Sequence, residues 1–245
     1  MASLDAAIPI VFLHGFATNT QRTWREPGWF DLVKEGGRRA VGIDLLGHGD
    51  ADKPHDPDAY AALVDNVIAD LPVDPSGESK LGFQRQLDIC GYSMGAMTAL
   101  EIAIRYPTLV RKLVLAGVGE NVIGGGRRPN EGDVDEDTGL DDVGYRFQGM
   151  FNQPGNDPVA LAALSEYRSR RTGPRIFTPE TLATVQADCL IVIGDEDFVG
   201  RPEPLAELLP RVKTVILPGV DHFGLPKQFG FIDAALEFLG AVPDW

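Results

Sequence analysis

The chain has 245 residues, 44% hydrophobic and 24% charged, enough to bury a large core without disulfide or metal staples. Asp and Glu total 36 against 22 Lys and Arg, and the formal net charge of −14 argues against a nucleic-acid binder and against a protein lying on anionic membranes. Cys90 and Cys189 sit in apolar runs and read as buried thiols; no run approaches the ~20 apolar residues of a membrane span, and the first residues lack a charged segment ahead of a long apolar one, so a cytoplasmic location is expected.

The first predicted strand covers 8–13 (IPIVFL) and the second 39–45 (RAVGIDL). From 57 to 71, Tyr60, Leu63, Val64, Val67, Ile68 and Leu71 recur every three or four residues, the single apolar stripe of a helix. Residues 86–91 (QLDICG) predict a third strand and 93–105 (SMGAMTALEIAIR) a helix that stops before Pro107. A fourth strand follows at 111–116 (RKLVLA). Strand patterns then cease between 120 and 178. That stretch holds GGG at 124–126, acidic residues over 131–142 and arginines over 168–175, with helices predicted near 138–151 and 157–171. Strands resume at 189–194 (CLIVIG) and 214–219 (TVILPG), alternating with helices over 203–209 and 226–240, the last opened by Pro226.

Continuous Val/Ile/Leu runs suit strands covered on both faces. The expected fold is therefore α/β: a mostly parallel central sheet of about six strands, flanked by helices through right-handed crossovers, with an insertion after the fourth strand.

The most informative stretch is Gly91-Tyr92-Ser93-Met94-Gly95, which follows a strand and opens a helix. That is the context of the G-x-S-x-G nucleophile elbow. So sharp a turn strains the serine backbone, and the flanking glycines let neighbouring chains approach it. The serine hydroxyl is left at the C-terminal edge of the sheet, where the helix start favours developing negative charge.

A serine nucleophile needs a base. Of His14, His48, His55 and His222, only His222 follows Ser93, as the Ser–acid–His order on this topology requires. The acid should follow a strand on the same edge, where Asp195, Glu196 and Asp197 are available. Asp197 is preferred because it lies past the strand end; Asp195 suits the turn, Asp221 adjoins His222, and Glu120 is the reserve. The expected oxyanion donors are the backbone N–H groups of Met94 and Phe16, with His14 supporting the loop.

These residues resemble the α/β-hydrolase superfamily, in particular its small capped serine esterases and lactonases. The matching motifs are HGF at 14–16, DLLGHG at 44–49, GYSMG at 91–95, GDED at 194–197 and DH at 221–222. The resemblance implies a core of 1–119 and 179–245 with a small helical cap of 120–178 that shapes the substrate pocket. Two departures stand out. Few residues precede Ile8, where the family usually has two further strands, and Ala51 replaces the serine of a G-H-G-x-S-x-x-P pattern. Trp24, Trp29, Phe147, Met150 and Phe151 are candidate apolar pocket liners, although core packing explains each about as well.

Other motifs depart from the patterns that they suggest. Residues 133–144 look like a calcium loop, but Thr138 and Gly144 stand where that loop needs Gly and Glu. No histidine pair has zinc spacing, so neither metal nor cofactor is expected. GGG at 124–126 reads as a hinge. Arg168, Arg170, Arg171 and Arg175 either balance the acidic stretch or anchor a carboxylate or acyl-carrier phosphate at the cap. The expected activity is hydrolysis of a carboxylic ester, thioester or lactone through Ser93, His222 and Asp197, with a small-molecule acyl substrate. The same residues could serve C–C bond hydrolysis, lyase or perhydrolase chemistry, or a slow-turnover ligand receptor.

Overall fold

The computed structural model describes residues 8–73, 86–124, 135, 141–170 and 175–243. All six predicted strands are present: β1 (Ile10–Leu13), β2 (Ala40–Ile43), β3 (Leu87–Tyr92), β4 (Val110–Ala116), β5 (Asp188–Gly194) and β6 (Val212–Leu217). They form one sheet in the order β2-β1-β3-β4-β5-β6, and every pairing is parallel.

The apolar runs divide between two layers because successive strand side chains point to opposite faces. Val11, Leu13, Ile89, Leu113 and Ile191 enter one core cluster. Ile10, Phe12, Cys90, Val114 and Leu190 enter the other.

Helices close each layer. The first face is covered by α2 (Leu63–Asp70) and α3 (Met94–Arg105), and the second by α1 (Trp29–Glu35) and α8 (Phe229–Leu239). Between β4 and β5 run α4 (Asp142–Phe151), α5 (Pro158–Arg170) and the short α6 (Pro179–Leu182); α7 (Glu203–Ala206) follows β5. Among the described residues this insertion contributes no strand. Ala163 and Leu164 of α5 nevertheless join the first core cluster, so the insertion is rooted in the core layer at that helix.

Most predicted helices appear with altered ends. The 57–71 stripe begins as a 3-10 turn, Pro57–Ala62, because Pro57 follows Asp56, whose carboxylate accepts the Asp58 N–H at 3.0 Å. The C-terminal helix starts at Phe229, after a separate 3-10 turn over Leu225–Lys227. Helix α1 has no signature in the sequence: its seven residues are too few to show a periodic stripe. The GGG hinge beyond Gly124, the calcium-like loop before Asp141 (Asp135 excepted), and Arg171 lie outside the described residues. Among the described residues no helix is long and apolar enough to cross a membrane.

Trp24 and Trp29 require a correction. Both are fully buried in the layer beneath α1 and α8. Their rings pack at 5.2 Å from each other and against Phe12 and Phe231, and the Trp29 indole N–H donates to the Pro226 carbonyl at 2.9 Å. They are core residues and not pocket liners; large aromatic area has its greatest worth where water is wholly excluded.

Candidate active site

The site lies at the C-terminal edge of the sheet, where β1 has β2 on one side and β3 on the other. Loops leaving such adjacent strands diverge and open a crevice. Leu13 pairs in register with Gly91, and Tyr92 with Ala116. The segments that begin at His14, Ser93 and Gly117 therefore leave the sheet side by side.

Ser93 adopts φ 53° and ψ −113°, a conformation that costs about 1–3 kcal/mol and persists only where the surroundings over-determine it. Those surroundings are visible. The Ser93 N–H donates to the Ala116 carbonyl at 2.8 Å, and the Ser93 carbonyl accepts from the N–H groups of Ala96 and Met97. A Cβ on Gly95 would overlap the Leu13 carbonyl oxygen, and one on Gly91 would stand 2.6 Å from the Gly95 carbonyl oxygen. Glycine at both positions is what lets the turn close this tightly.

The structure brings three predicted residues into one hydrogen-bonded chain. His222 Nε2 lies 2.9 Å from Ser93 Oγ, and His222 Nδ1 lies 3.0 and 2.9 Å from the two oxygens of Asp197. An ionised carboxylate only accepts, so Nδ1 carries the proton and Nε2 faces the serine hydroxyl as acceptor. Both His222 and Asp197 are buried. Asp197 also accepts the Val199 N–H at 3.1 Å.

The other acids serve elsewhere. Asp195 accepts the Gly219 N–H at 2.7 Å; Asp221 accepts the Gly224 N–H at 2.7 Å and pairs with Arg146; Glu120 pairs with Arg201 at 3.1 Å.

Tyr92 is a site residue that the sequence did not reveal, since the elbow pattern leaves its position open. Its hydroxyl donates to the His222 carbonyl at 2.8 Å. Burial pushes its pKa well above the ordinary value, which keeps this donor protonated.

The loop after β1 is built by neutral histidines. His14 Nε2 accepts the Leu45 N–H at 2.9 Å, so its Nδ1–H donates to the Gly15 carbonyl at 2.7 Å. His48 Nε2 accepts the Ala17 N–H at 3.0 Å, so its Nδ1–H donates to the Leu46 carbonyl at 3.2 Å. Burial lowers the pKa of both; for His48 it is helped by the nearby His14, and the value falls to about 3. Asp44 ties the same loops by accepting the N–H groups of Thr20 and Asp50, each at 2.8 Å. Burial resists its charge, but the hydrogen bonds it accepts, those two amides foremost, help to hold the pKa below the usual carboxylate value.

Ala17, at φ 57°, has a left-handed backbone that costs an alanine about 1–2 kcal/mol. In a trans peptide the C=O and N–H point opposite ways, so fixing the Gly15 carbonyl fixes the Phe16 N–H. A Cβ on Gly15 would stand 3.4 Å from Ser93 Cβ, which sets this loop against the serine. Met94 is the first residue of α3, so its N–H has no helical partner.

Phenylalanines surround the imidazole. The ring centroids of Phe198 and Phe223 lie 4.6 and 5.6 Å from that of His222. Phe147 of α4 meets Phe16, Phe198 and Phe223 at 5.9, 6.1 and 5.1 Å. Phe151 meets Phe16 at 5.7 Å. Met150 is half-buried on the same helix. Phe198 and Phe223 were not anticipated, although each directly follows a predicted site residue in the chain. The basic cluster is divided: Arg170 pairs with Glu166 within α5, and Arg175 donates to the Ile123 carbonyl at 3.4 Å. Among the described residues no group of three or more His, Cys, Asp or Glu could hold a metal ion.

A parallel sheet of this order with a serine on its central strand turn defines a class, and comparison with known proteins agrees. The chain belongs to the alpha/beta hydrolase family, whose profile matches residues 10–234. It is 32% identical over 270 residues to a Bacillus subtilis (strain 168) protein provisionally named 2-succinyl-6-hydroxy-2,4-cyclohexadiene-1-carboxylate synthase, covering 97% of this chain and 92% of that one. It is 35% identical over 117 residues to the sn-1-specific diacylglycerol lipase of Mus musculus. That match takes in 46% of this chain and spans only 34% of the lipase. Among solved structures, a serine hydrolase involved in carbazole degradation superposes with a TM-score of 0.64 at 22% identity, covering 95% of this chain and 91% of that one.

Proposed function

We propose that the protein is a serine hydrolase that cleaves a carboxylic ester, thioester or lactone through an acyl-enzyme. The reading is carried by one observation, the continuous Ser93–His222–Asp197 hydrogen-bonded chain on a strained turn at the sheet edge. His222 Nε2 takes the Ser93 hydroxyl proton as Oγ bonds to the acyl carbon, and the carbonyl electron pair moves onto oxygen. The N–H groups of Met94 and Phe16 hold that oxyanion. Collapse breaks the bond to the leaving group, which takes the proton from His222. Water then repeats the sequence, giving a proton to His222 and its oxygen to the acyl group, and Ser93 departs with the proton. Asp197 keeps Nδ1 protonated and stabilises the imidazolium.

In this reading the β4–β5 insertion is a cap. Phe147, Met150 and Phe151 of α4, with Phe16, Phe198 and Phe223, form the apolar wall that receives the acyl group. The relatives carry lipase and synthase names, so family membership by itself does not choose the bond that is cleaved.

The test is an ester series of varied acyl length, run with wild type and Ser93→Ala. Expected is multiple-turnover hydrolysis by wild type and a loss of about 10⁴-fold or more in kcat for the variant. A Ser93→Ala protein as active as wild type would refute the mechanism. A single slow covalent event without turnover would favour the ligand receptor, and inertness to all esters would favour C–C bond, lyase or perhydrolase chemistry.

A further inference from the structure

Ser93 and Ala17 are the non-glycine residues with positive φ among the described residues, and the second is held as elaborately as the first. Three consecutive peptide groups around Ala17 are tied. His14 holds the Gly15 carbonyl, His48 holds the Ala17 N–H, and the Asn156 side-chain amide donates to the Ala17 carbonyl at 2.8 Å. The first two ties come from buried histidines in the loops after β1 and β2. The third comes from the turn between α4 and α5, in the insertion.

That turn is joined to the same segment a second time. The Arg22 guanidinium donates to the Gln153 side-chain oxygen and to the Pro154 carbonyl. Asn156 is itself braced, because its amide nitrogen also lies 2.8 Å from the Met150 carbonyl at the end of α4. Two carbonyls need two N–H donors from one short side chain, and a primary amide supplies them where a carboxylate supplies none.

We propose that Asn156 is a positioning residue for the oxyanion hole. Seated on the β1 loop, it holds Ala17 in its left-handed conformation and so, with the His14 and His48 ties, keeps the Phe16 N–H aimed at the reacting carbonyl. Acyl transfer then depends on the insertion being seated, although no atom of Asn156 touches the reacting groups. Without the amide, Ala17 relaxes toward negative φ, the Phe16–Ala17 peptide turns on its His48 tie, and the Gly15–Phe16 peptide that carries the Phe16 N–H is left with the His14 tie alone to hold its aim. The inference rests on Phe16 N–H being an oxyanion donor, as the hydrolase reading has it.

The experiment compares wild type with Asn156→Ala and Asn156→Asp, the second keeping the volume while removing the donors. Two quantities are measured on each: steady-state hydrolysis of p-nitrophenyl acetate, and inhibition by an aryl trifluoromethyl ketone, which adds to a serine nucleophile as a tetrahedral oxyanion. Expected is a fall in kcat of about tenfold or more with KM within about twofold, and a rise in the ketone Ki by a similar factor. A merely structural role would not move kcat and Ki together while sparing KM. Unchanged kcat, a loss confined to KM, or a kcat loss without a Ki change would each overturn the proposal, and either variant suffices if the other does not fold. A wild type that neither turns over esters nor binds the ketone would remove the hydrolase reading itself. A wild type that does both, with variants that match it, would remove only the role of Asn156.

Discussion

Strands β1, β3 and β5 bury nearly every side chain in two apolar layers, whereas the insertion exposes Tyr145 and Arg146 and, besides the Phe147 and Phe151 ring contacts and its apolar root at Ala163 and Leu164, is tied to the rest of the molecule by single polar contacts. Arg146 pairs with Asp221 and stacks over Phe223 at 4.2 Å; Asn156 holds Ala17; His55 meets Asp157 at 2.8 Å. Apolar burial is non-directional and accumulates with area, so the core tolerates no loss of volume but does not depend on any single polar tie. Polar ties are directional and individually weak at the surface, so the insertion can be loosened one contact at a time. In the proposed mechanism this sets a rigid sheet edge that carries the chemistry beside a segment that tunes it.

The largest expected stability effect is therefore in the core. Trp29→Ala removes a fully buried ring packed on Phe12, Trp24 and Phe231 and should cost about 3–5 kcal/mol by urea unfolding. A loss below 1 kcal/mol would mean that the layer beneath α1 and α8 is far looser than its packing indicates.

Next comes the pH dependence of the loop that the core builds. His14 and His48 have native pKa values lowered from 6.5, so below that pH the unfolded chain binds protons that the native state refuses. Stability is thus full above pH 6.5 and falls on acidification, by about 1.4 kcal/mol per pH unit for each histidine. The His48 share of the loss continues down to about pH 3. His48→Asn should show a shallower decline between pH 6.5 and pH 4.5, and an unchanged slope would contradict the buried neutral imidazole.

The smallest stability effect belongs to the insertion. Arg146→Ala breaks a half-exposed pair with Asp221 and should change stability by less than about 1 kcal/mol. A loss on the scale of Trp29→Ala would place α4 within the core.

The division also explains what was legible in the sequence. Continuous apolar runs mark parallel strands because both faces are buried, and all six were found within a residue or two. That Ser93, His222 and Asp197 would meet was legible because chain order and strand ends restrict which polar residues can come together at the sheet edge. Trp24 and Trp29 were misplaced because composition does not tell an aromatic core from an aromatic pocket. Tyr92, Phe198, Phe223 and Asn156 carried no motif. Their positions arise from contacts between separate segments: Tyr92 with His222, 130 residues on, Phe198 and Phe223 with His222 and with Phe147 of the insertion, and Asn156 with the first loop.

In the proposed mechanism Ser93 forms the acyl-enzyme. That role is tested most directly by peptide mass mapping after brief treatment with a fluorophosphonate, with p-nitrophenyl ester turnover followed on the same sample. Expected is a single phosphonylated peptide bearing Ser93, with activity lost in proportion to label and no label on Ser93→Ala. Full labelling of Ser93 with turnover undiminished would contradict it.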